Sequence, residues 1–159
     1  MSTESIINEL INISKNKYRL LQILLGIEKN INQSLQSFMA QNVIKQMEIK
    51  DKYIAKADNL DVKFYTCFDE LKRSLGVDSI DKIDGMKYPR MKELKQIVSE
   101  ILDVVDEIEL ISSKNSKIFN SNIDTMGNKL RGIKQGEKAA NAYKAHKKLS
   151  KKQDSHGKK

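Results

Sequence analysis

The sequence predicts an all-α protein: an antiparallel bundle of three long helices with coiled-coil-like packing, followed by a flexible basic C-terminal tail. Apolar residues recur at alternating spacings of three and four through three long segments, which places them on one face of a helix. The β-branched residues follow the same helical spacing rather than the alternation of a strand. Lysines concentrate at the end of the chain, where apolar residues are few.

The first segment covers residues 6–35, and its apolar seam is narrow enough for coiled-coil packing. The repeat is broken only at Lys17, where another apolar residue is due. Ile7, Leu21 and Leu25 widen the stripe, so we expect this helix to face two partners, as in a bundle. The positions of the repeat are Ile6, Leu10, Ile13, Leu20, Leu24, Ile27, Ile31 and Leu35.

The second segment covers residues 38–75 and skips two repeat positions, at Lys50 and Asp61. We expect the helix to end at Leu75, because glycine at position 76 is a common signal just past a helix C-terminus. No proline or glycine separates the first two segments, so one bent helix and two helices joined by a tight turn both fit the sequence. The predicted core positions are Val43, Met47, Ile54, Ala57, Phe64, Phe68, Leu71 and Leu75.

The third segment, residues 90–133, follows a connector that contains the strongest breaking signals in the chain. Asp78 or Ser79 suits the cap of a short helical turn, and Pro89 suits a first helical position. The repeat then runs through Leu94, Val98, Ile101, Val105, Ile108, Ser112 and Asn115. At about 1.5 Å per residue this helix is longer than either of its partners, so we expect its far end to lack an intramolecular partner.

That far end combines an apolar stripe with a backbone of weak helix propensity. Gly127, Gly132 and several asparagines lower the stability of the helix, which would let it order on binding a partner. We therefore interpret the stripe as a partner-binding surface, although closure over the second helix and formation of a homodimer explain it equally well. The residues of the stripe are Phe119, Ile123, Met126, Leu130 and Ile133.

The positive charge lies mostly in the tail. The net charge is +8, and after position 134 eight lysines stand against two acidic residues, which leaves +2 for the rest of the chain. We therefore divide the chain into a helical bundle domain, residues 1–134, and a flexible lysine-rich tail, residues 135–159. The tail could bind nucleic acid or another acidic surface, but it has one aromatic residue and no arginine, which suits such binding poorly.

No pattern in the sequence indicates an enzyme, a cofactor site or a metal site. There is no glycine-rich phosphate loop. We interpret the single cysteine, Cys67, as a small apolar side chain that fills space on a helix. His146 and His156 have no partner at zinc-ligand spacing. With no membrane-span pattern and no signal-peptide pattern, we expect a cytoplasmic protein.

Taken in order, three stretches resemble the FlgN-type bacterial flagellar export chaperones. They are YRLLQILLGIEKNINQSL in the first helix, FDELKRSLG at the end of the second, and ELISSKNSKIFNSNID in the third. A tyrosine in the tail, Tyr143 in NAYKAH, completes the resemblance.

The resemblance implies a chaperone that binds the C-terminal helices of the hook-filament junction proteins FlgK and FlgL. Such a protein would keep these clients unassembled in the cytoplasm and deliver them to the flagellar type III export gate. The stripe from Phe119 to Ile133 would hold the client. Tyr143 would dock to an export component, because an isolated aromatic residue in a polar segment can anchor an interface. The rival classes are a binder of nucleic acid or acidic surfaces and a structural homo-oligomer.

Overall fold

The structure, a computed structural model, describes residues 2–147 of the chain. It contains helices α1 (Thr3–Gln36), α2 (Ala40–Leu75) and α3 (Met91–Lys147), with a short 3-10 helix, Ile80–Lys82, between α2 and α3. Helix accounts for 88% of the structure and the described part has no strand, which confirms the predicted all-α class. The bundle of three long helices is matched only in part, because there is a fourth, short helix, which lies where a helical turn capped by Asp78 or Ser79 was predicted. Only the backbone is described at residues 126, 127, 129, 130 and 143–147.

Helix α1 begins at a capped N-terminus and is buried on two sides. The Ser2 hydroxyl accepts a hydrogen bond from the Ser5 backbone N–H at 3.1 Å, which satisfies one of the free donors of the first turn. Apolar side chains of α1 pack against both α2 and α3 in one core. The prediction that this helix faces two partners is therefore confirmed.

A tight turn separates α1 from α2, which answers a question that the sequence left open. Phe38 takes a left-handed backbone conformation, with φ at 56°, and is 68% exposed. The Met39 N–H donates to the Ser34 carbonyl at 2.9 Å, and the Phe38 N–H donates to the Leu35 carbonyl at 3.3 Å. These two bonds form a Schellman motif, in which glycine usually occupies the position of Phe38. Because phenylalanine rather than glycine occupies this position, the sequence did not reveal the end of α1.

Helix α2 buries most of the predicted face, with two exceptions. Val43, Ala57 and Leu71 are buried as expected, but Met47 and Ile54 are 44% and 39% exposed, so their assignment to the core was wrong. The inward face is shifted by one residue at these two positions only, and the half-buried Lys50 and Tyr53 lie on it. The helix ends at Leu75 as predicted, and Gly76 adopts φ 67°, which a side chain would strain.

Paired side chains show that α1 and α2 are antiparallel. Contacts join Thr3 to Ser74 near one end of the pair and Ser34 to Asn42 near the other. The gaps in the two apolar repeats are filled by ion pairs between these helices. Lys17 of α1 pairs with Asp61 of α2, and Lys50 of α2 pairs with Glu28 of α1. These are the same three positions, 17, 50 and 61, at which the sequence pattern was interrupted.

The first part of α3 runs parallel to α1 and antiparallel to α2. Arg90, just before α3, donates to Asn8 at 2.7 Å, and Lys15 lies 3.0 Å from Glu93. Hydrogen bonds from Arg90 and then from Lys15 lower the pKa of the Glu93 carboxyl. Ile83, from the connector, is buried in the same core.

The core of the described chain consists of two apolar clusters. The larger one joins α1, α2, the connector and the first part of α3, and includes Leu10, Leu71, Leu94 and Ile101. It also holds Cys67, whose thiol donates to the Ile6 carbonyl at 3.6 Å and whose pKa is raised by burial, and further by Glu9 and Glu70. The smaller cluster contains Ile27, Ile31, Leu35 and Val43, with Ile49, Tyr53 and Ile118 packed against it.

Helix α3 continues past the predicted end near Ile133 and is helical up to Lys147, the last described residue. The lysine-rich composition was interpreted as a flexible tail from Gln135 onward. The backbone of the described part of that tail, up to Lys147, is helical, and its flexibility stays a prediction. Alanine, lysine and glutamate are all good helix formers, so the composition supports a helix as well as disorder. The boundary between residues 1–134 and 135–159 stays a prediction, and residues 148–159 lie outside the described part.

Candidate functional site

The chain divides into two compact units, Met1–Ile118 and Phe119–Lys159. Ile118 is half-buried against the smaller apolar cluster and is the last apolar residue of α3 that packs in the first unit. The predicted partner-binding stripe begins at the next residue, Phe119. The candidate site therefore belongs entirely to the second unit.

The described side chains of the stripe are exposed. Phe119, Ile123 and Ile133 are 38%, 52% and 57% accessible to solvent. The backbone of Met126 and Leu130 is helical, so these residues continue the same helical face by their spacing, but their side chains lie outside the described atoms. Exposed large apolar residues in a row usually mark a surface that binds a partner.

Two glycines of this region, Gly132 and Gly136, have no packing role. A Cβ atom placed on Gly132 or Gly136 would meet no atom within 4 Å, so close approach of another element does not explain either glycine. Each therefore only lowers the stability of its helix, by about 1 kcal/mol relative to alanine. The combination of an exposed apolar stripe and a weakened backbone agrees with a segment whose order depends on a bound partner.

Basic side chains accompany the stripe. Arg131, Lys134 and Lys138 are exposed and lie beside or just after Ile133, the last apolar residue of the stripe. By helical spacing, Lys134 and Lys138 lie along one edge of the apolar face. A partner with acidic groups beside an apolar face would complement this surface.

Tyr143, the predicted contact for the export gate, lies in the last turns of α3. The backbone around Tyr143 is helical, and the flexibility expected of this segment stays a prediction. The side chain of Tyr143 lies outside the described atoms, as does that of His146, and His156 lies outside the described residues altogether.

A polar network crosses the three helices just before the stripe. Glu28 of α1 is 1% exposed, and its Oε2 lies 2.8 Å from the Lys50 Nζ of α2. Asn115 of α3 donates from Nδ2 to Glu28 Oε1 at 3.1 Å and to the Glu28 carbonyl at 2.9 Å. Asn32 donates to Asn115 Oδ1 at 2.9 Å. The sequence analysis noticed Lys50 and Asn115 as polar breaks in apolar repeats, and that signal could have identified the network.

Helix α2 also has an exposed apolar face that was not predicted from the sequence. Ile44, Met47, Val62 and Tyr65 of this face are exposed, although the pattern had placed Met47 in the core. The Tyr65 ring contacts Phe64 edge to face, with 6.2 Å between ring centroids. Within the described residues, no helix is long and apolar enough to span a membrane. The same part of the chain contains no cluster of side chains that could hold a metal ion.

Fold and surface together define an all-helical protein with exposed apolar helix faces suited to binding other helices. The chain belongs to the FlgN protein family, whose family model matches residues 1–151. FlgN is a family of flagellar export chaperones and is not known as an enzyme family. No curated protein and no solved structure matches the chain. The match confirms the resemblance inferred from the sequence.

Proposed function

We propose that this chain is a cytoplasmic chaperone that binds the C-terminal helices of hook-filament junction proteins of the FlgK and FlgL type. It prevents their premature assembly and delivers them to the flagellar type III export gate. The observation that supports this proposal most directly is the exposed apolar stripe of α3, with Phe119, Ile123 and Ile133 all accessible to solvent. The family supports the general role of export chaperone, and the stripe supports the mode of client binding.

An amphipathic client helix and the stripe are complementary in a simple physical sense. The client would bury its apolar face against Phe119, Ile123, Met126, Leu130 and Ile133, and each large side chain removed from water contributes about 1.5–3 kcal/mol. Methionine adapts to surfaces of different shape, and the weak backbone near Gly132 permits small adjustments. These properties would let one surface accept two different clients.

The proposal is tested by replacing Ile123 with aspartate. The Ile123→Asp change should weaken binding of a peptide from a junction-protein C-terminus by about a hundredfold, because the new charge must be desolvated against an apolar client. Ile123 is exposed, so the thermal midpoint of the free chaperone should change little. Isothermal titration alongside thermal melting measures both effects on the same protein.

Ile101→Asp is the matched control in the same helix. Ile101 is buried in the larger core cluster, so this change should unfold the bundle rather than spare it. If the Ile123→Asp protein melts early, the stripe belongs to a core. If it stays folded and binds the peptide normally, the client binds elsewhere.

Tyr143 is proposed as the contact with an export component. The Tyr143→Ala change should leave client affinity unchanged and reduce secretion of the client, because an aromatic anchor contributes to one interface and not to the other. The measurement compares peptide titration with the amount of client exported by cells carrying the variant. A loss of client affinity in the Tyr143→Ala protein would contradict this division of roles.

A further inference from the structure

The outward side of α2 presents an apolar surface that no described side chain covers. Its large apolar residues are all at least 39% exposed and recur at helical spacing along about six turns of α2. We call this surface the α2 outer face. Its apolar members are Ile44, Met47, Ile54, Val62 and Tyr65.

The charges around the α2 outer face are separated by sign. Glu48, Asp51 and Asp58 are exposed and share helical spacing with the apolar residues of the face. Exposed lysines occupy the adjacent side of α2, at Lys45, Lys52, Lys56 and Lys63. The face is therefore apolar and acidic, and a basic ridge borders it.

This combination restricts what the α2 outer face would bind. An apolar strip of one helix width is best covered by another helix that packs its own apolar stripe along it. The exposed carboxylates favour an occupant whose stripe is flanked by lysine or arginine, and they disfavour an acidic one. The fitting occupant is a basic amphipathic helix.

The chain itself contains a helix with these properties. Phe119, Ile123 and Ile133 form an exposed apolar stripe, and Lys134 and Lys138 lie beside it. Between residues 119 and 147 the sequence has six basic side chains and two acidic ones. The two surfaces also agree in length, since residues 44–65 span about 32 Å of helix and residues 119–138 span about 29 Å.

We propose that the segment 119–138 of α3 from a second copy of the chain docks on the α2 outer face. Apolar residues of the two helices bury one another, while Lys134 and Lys138 of one copy approach Asp51 and Asp58 of the other. Each copy carries both surfaces, so the association needs no other protein. In the absence of a client, this association covers two exposed apolar surfaces that would otherwise favour aggregation.

The self-association has a consequence for client binding. The second copy and the client would compete for the same stripe, so client binding would dissociate the copies. This consequence alone rests on the proposed function, whereas the self-association itself is measured without any client. Failure of the client titration would therefore leave the docking proposal standing, and failure of docking would leave the client proposal standing.

The test is a charge exchange between the two surfaces, followed by sedimentation velocity at about 100 µM protein, where a contact of micromolar affinity is well populated. Wild-type protein should sediment as an associated species that dissociates as salt increases. Asp51→Lys/Asp58→Lys and Lys134→Glu/Lys138→Glu should each weaken self-association by about tenfold or more, because like charges then face one another. An equimolar mixture of the two variants should associate again, because both contacts between unlike variants bring opposite charges together, one in the wild-type sense and one reversed.

The matched control reverses two lysines on the other side of α2. Lys45→Glu/Lys52→Glu should leave self-association within about threefold of wild type, because these residues border the face without lying on it. Circular dichroism checks that every variant keeps its helix content. A monomeric wild-type protein overturns the proposal and leaves the face to a helix of another protein. Unchanged association in both charge variants, or failure of their mixture to associate, overturns it as well.

Discussion

Phe38 has a backbone conformation that is unfavourable for its side chain. Its φ of 56° lies in the left-handed region, which costs a residue with a bulky side chain about 1–2 kcal/mol. The side chain is mostly exposed, so its packing within the described chain offsets little of that free energy. The conformation is held by the hydrogen bonds that close α1, from the Met39 and Phe38 backbone N–H groups. Phe38 is thus a local weakness in the turn that joins α1 to α2.

We expect Phe38→Asn to stabilise the protein by about 0.5–1 kcal/mol, because asparagine tolerates the left-handed region far better than phenylalanine. The measurement is the midpoint of urea unfolding followed by circular dichroism. Phe38→Ala is the control, since alanine removes the same exposed side chain but does not share the tolerance of asparagine for the left-handed region. Equal effects of the two changes would show that loss of an exposed apolar side chain, rather than relief of backbone strain, is responsible.

At the scale of the helices, one polar network sets how α1, α2 and α3 align. Glu28 is almost fully buried, and its carboxylate is neutralised by Lys50 and bonded by Asn115, one residue from each of the other two helices. A one-turn shift of any helix would leave the carboxylate buried without partners, which is costly in a region of low dielectric constant. The apolar contacts on either side of the network are less specific. We therefore infer that the network determines the axial register of the three helices.

Replacing Lys50 with methionine tests that assignment. The Lys50→Met change keeps the length and the apolar stem of the side chain but leaves Glu28 buried without a cation. We expect it to lower the free energy of unfolding by about 3 kcal/mol, the usual range for breaking a buried pair on one side. Thermal and urea unfolding measure the loss.

The double change Glu28→Gln/Lys50→Met is its control. Glutamine keeps an acceptor for Asn115 and removes the buried charge, so the double variant should be more stable than Lys50→Met alone. If the double variant is as unstable as Lys50→Met, packing of the lysine stem, rather than the unpaired charge, explains the loss.

At the scale of the whole molecule, packing divides the chain near the middle of α3. The first unit, Met1–Ile118, contains both apolar clusters and the polar network. The second unit begins at Phe119, where the described apolar side chains of α3 are exposed. Helical hydrogen bonds alone give marginal stability in water, and tertiary packing supplies most of the stability of a helix in a protein. The two parts of α3 should therefore differ in stability although the helix is continuous.

We expect amide hydrogen exchange to show this division. Amides near Ile101 should exchange at least about a hundredfold more slowly than amides near Ile133, because only the former are in a packed helix. Protection should fall after Ile118 and not at the boundary near Gln135 predicted from composition. Even protection from Ile101 to Gln135 would contradict the division and favour the composition-based boundary.

Several features were predicted from the sequence because they depend on local chemistry. The apolar repeat of α1 and the glycine after Leu75 determine helix formation and helix ending through short-range interactions, and both were confirmed. The family resemblance was confirmed as well, because its motifs lie within single helices. The exposed stripe at Phe119, Ile123 and Ile133 followed from helix lengths and spacing, which the sequence also contains.

Other features depended on contacts between distant residues. The turn at Phe38 carries no glycine signal, because hydrogen bonds at the end of α1 impose the left-handed conformation. The inward face of α2 was misplaced at Met47 and Ile54, since polar residues occupy core positions of α2 when a partner neutralises them. Pairing of Glu28 with Lys50 and Asn115 joins residues far apart in the chain. The sequence by itself determined which segments are helical and apolar, and only the tertiary structure decided which faces meet, because burial of a charge depends on the partner that the fold brings to it.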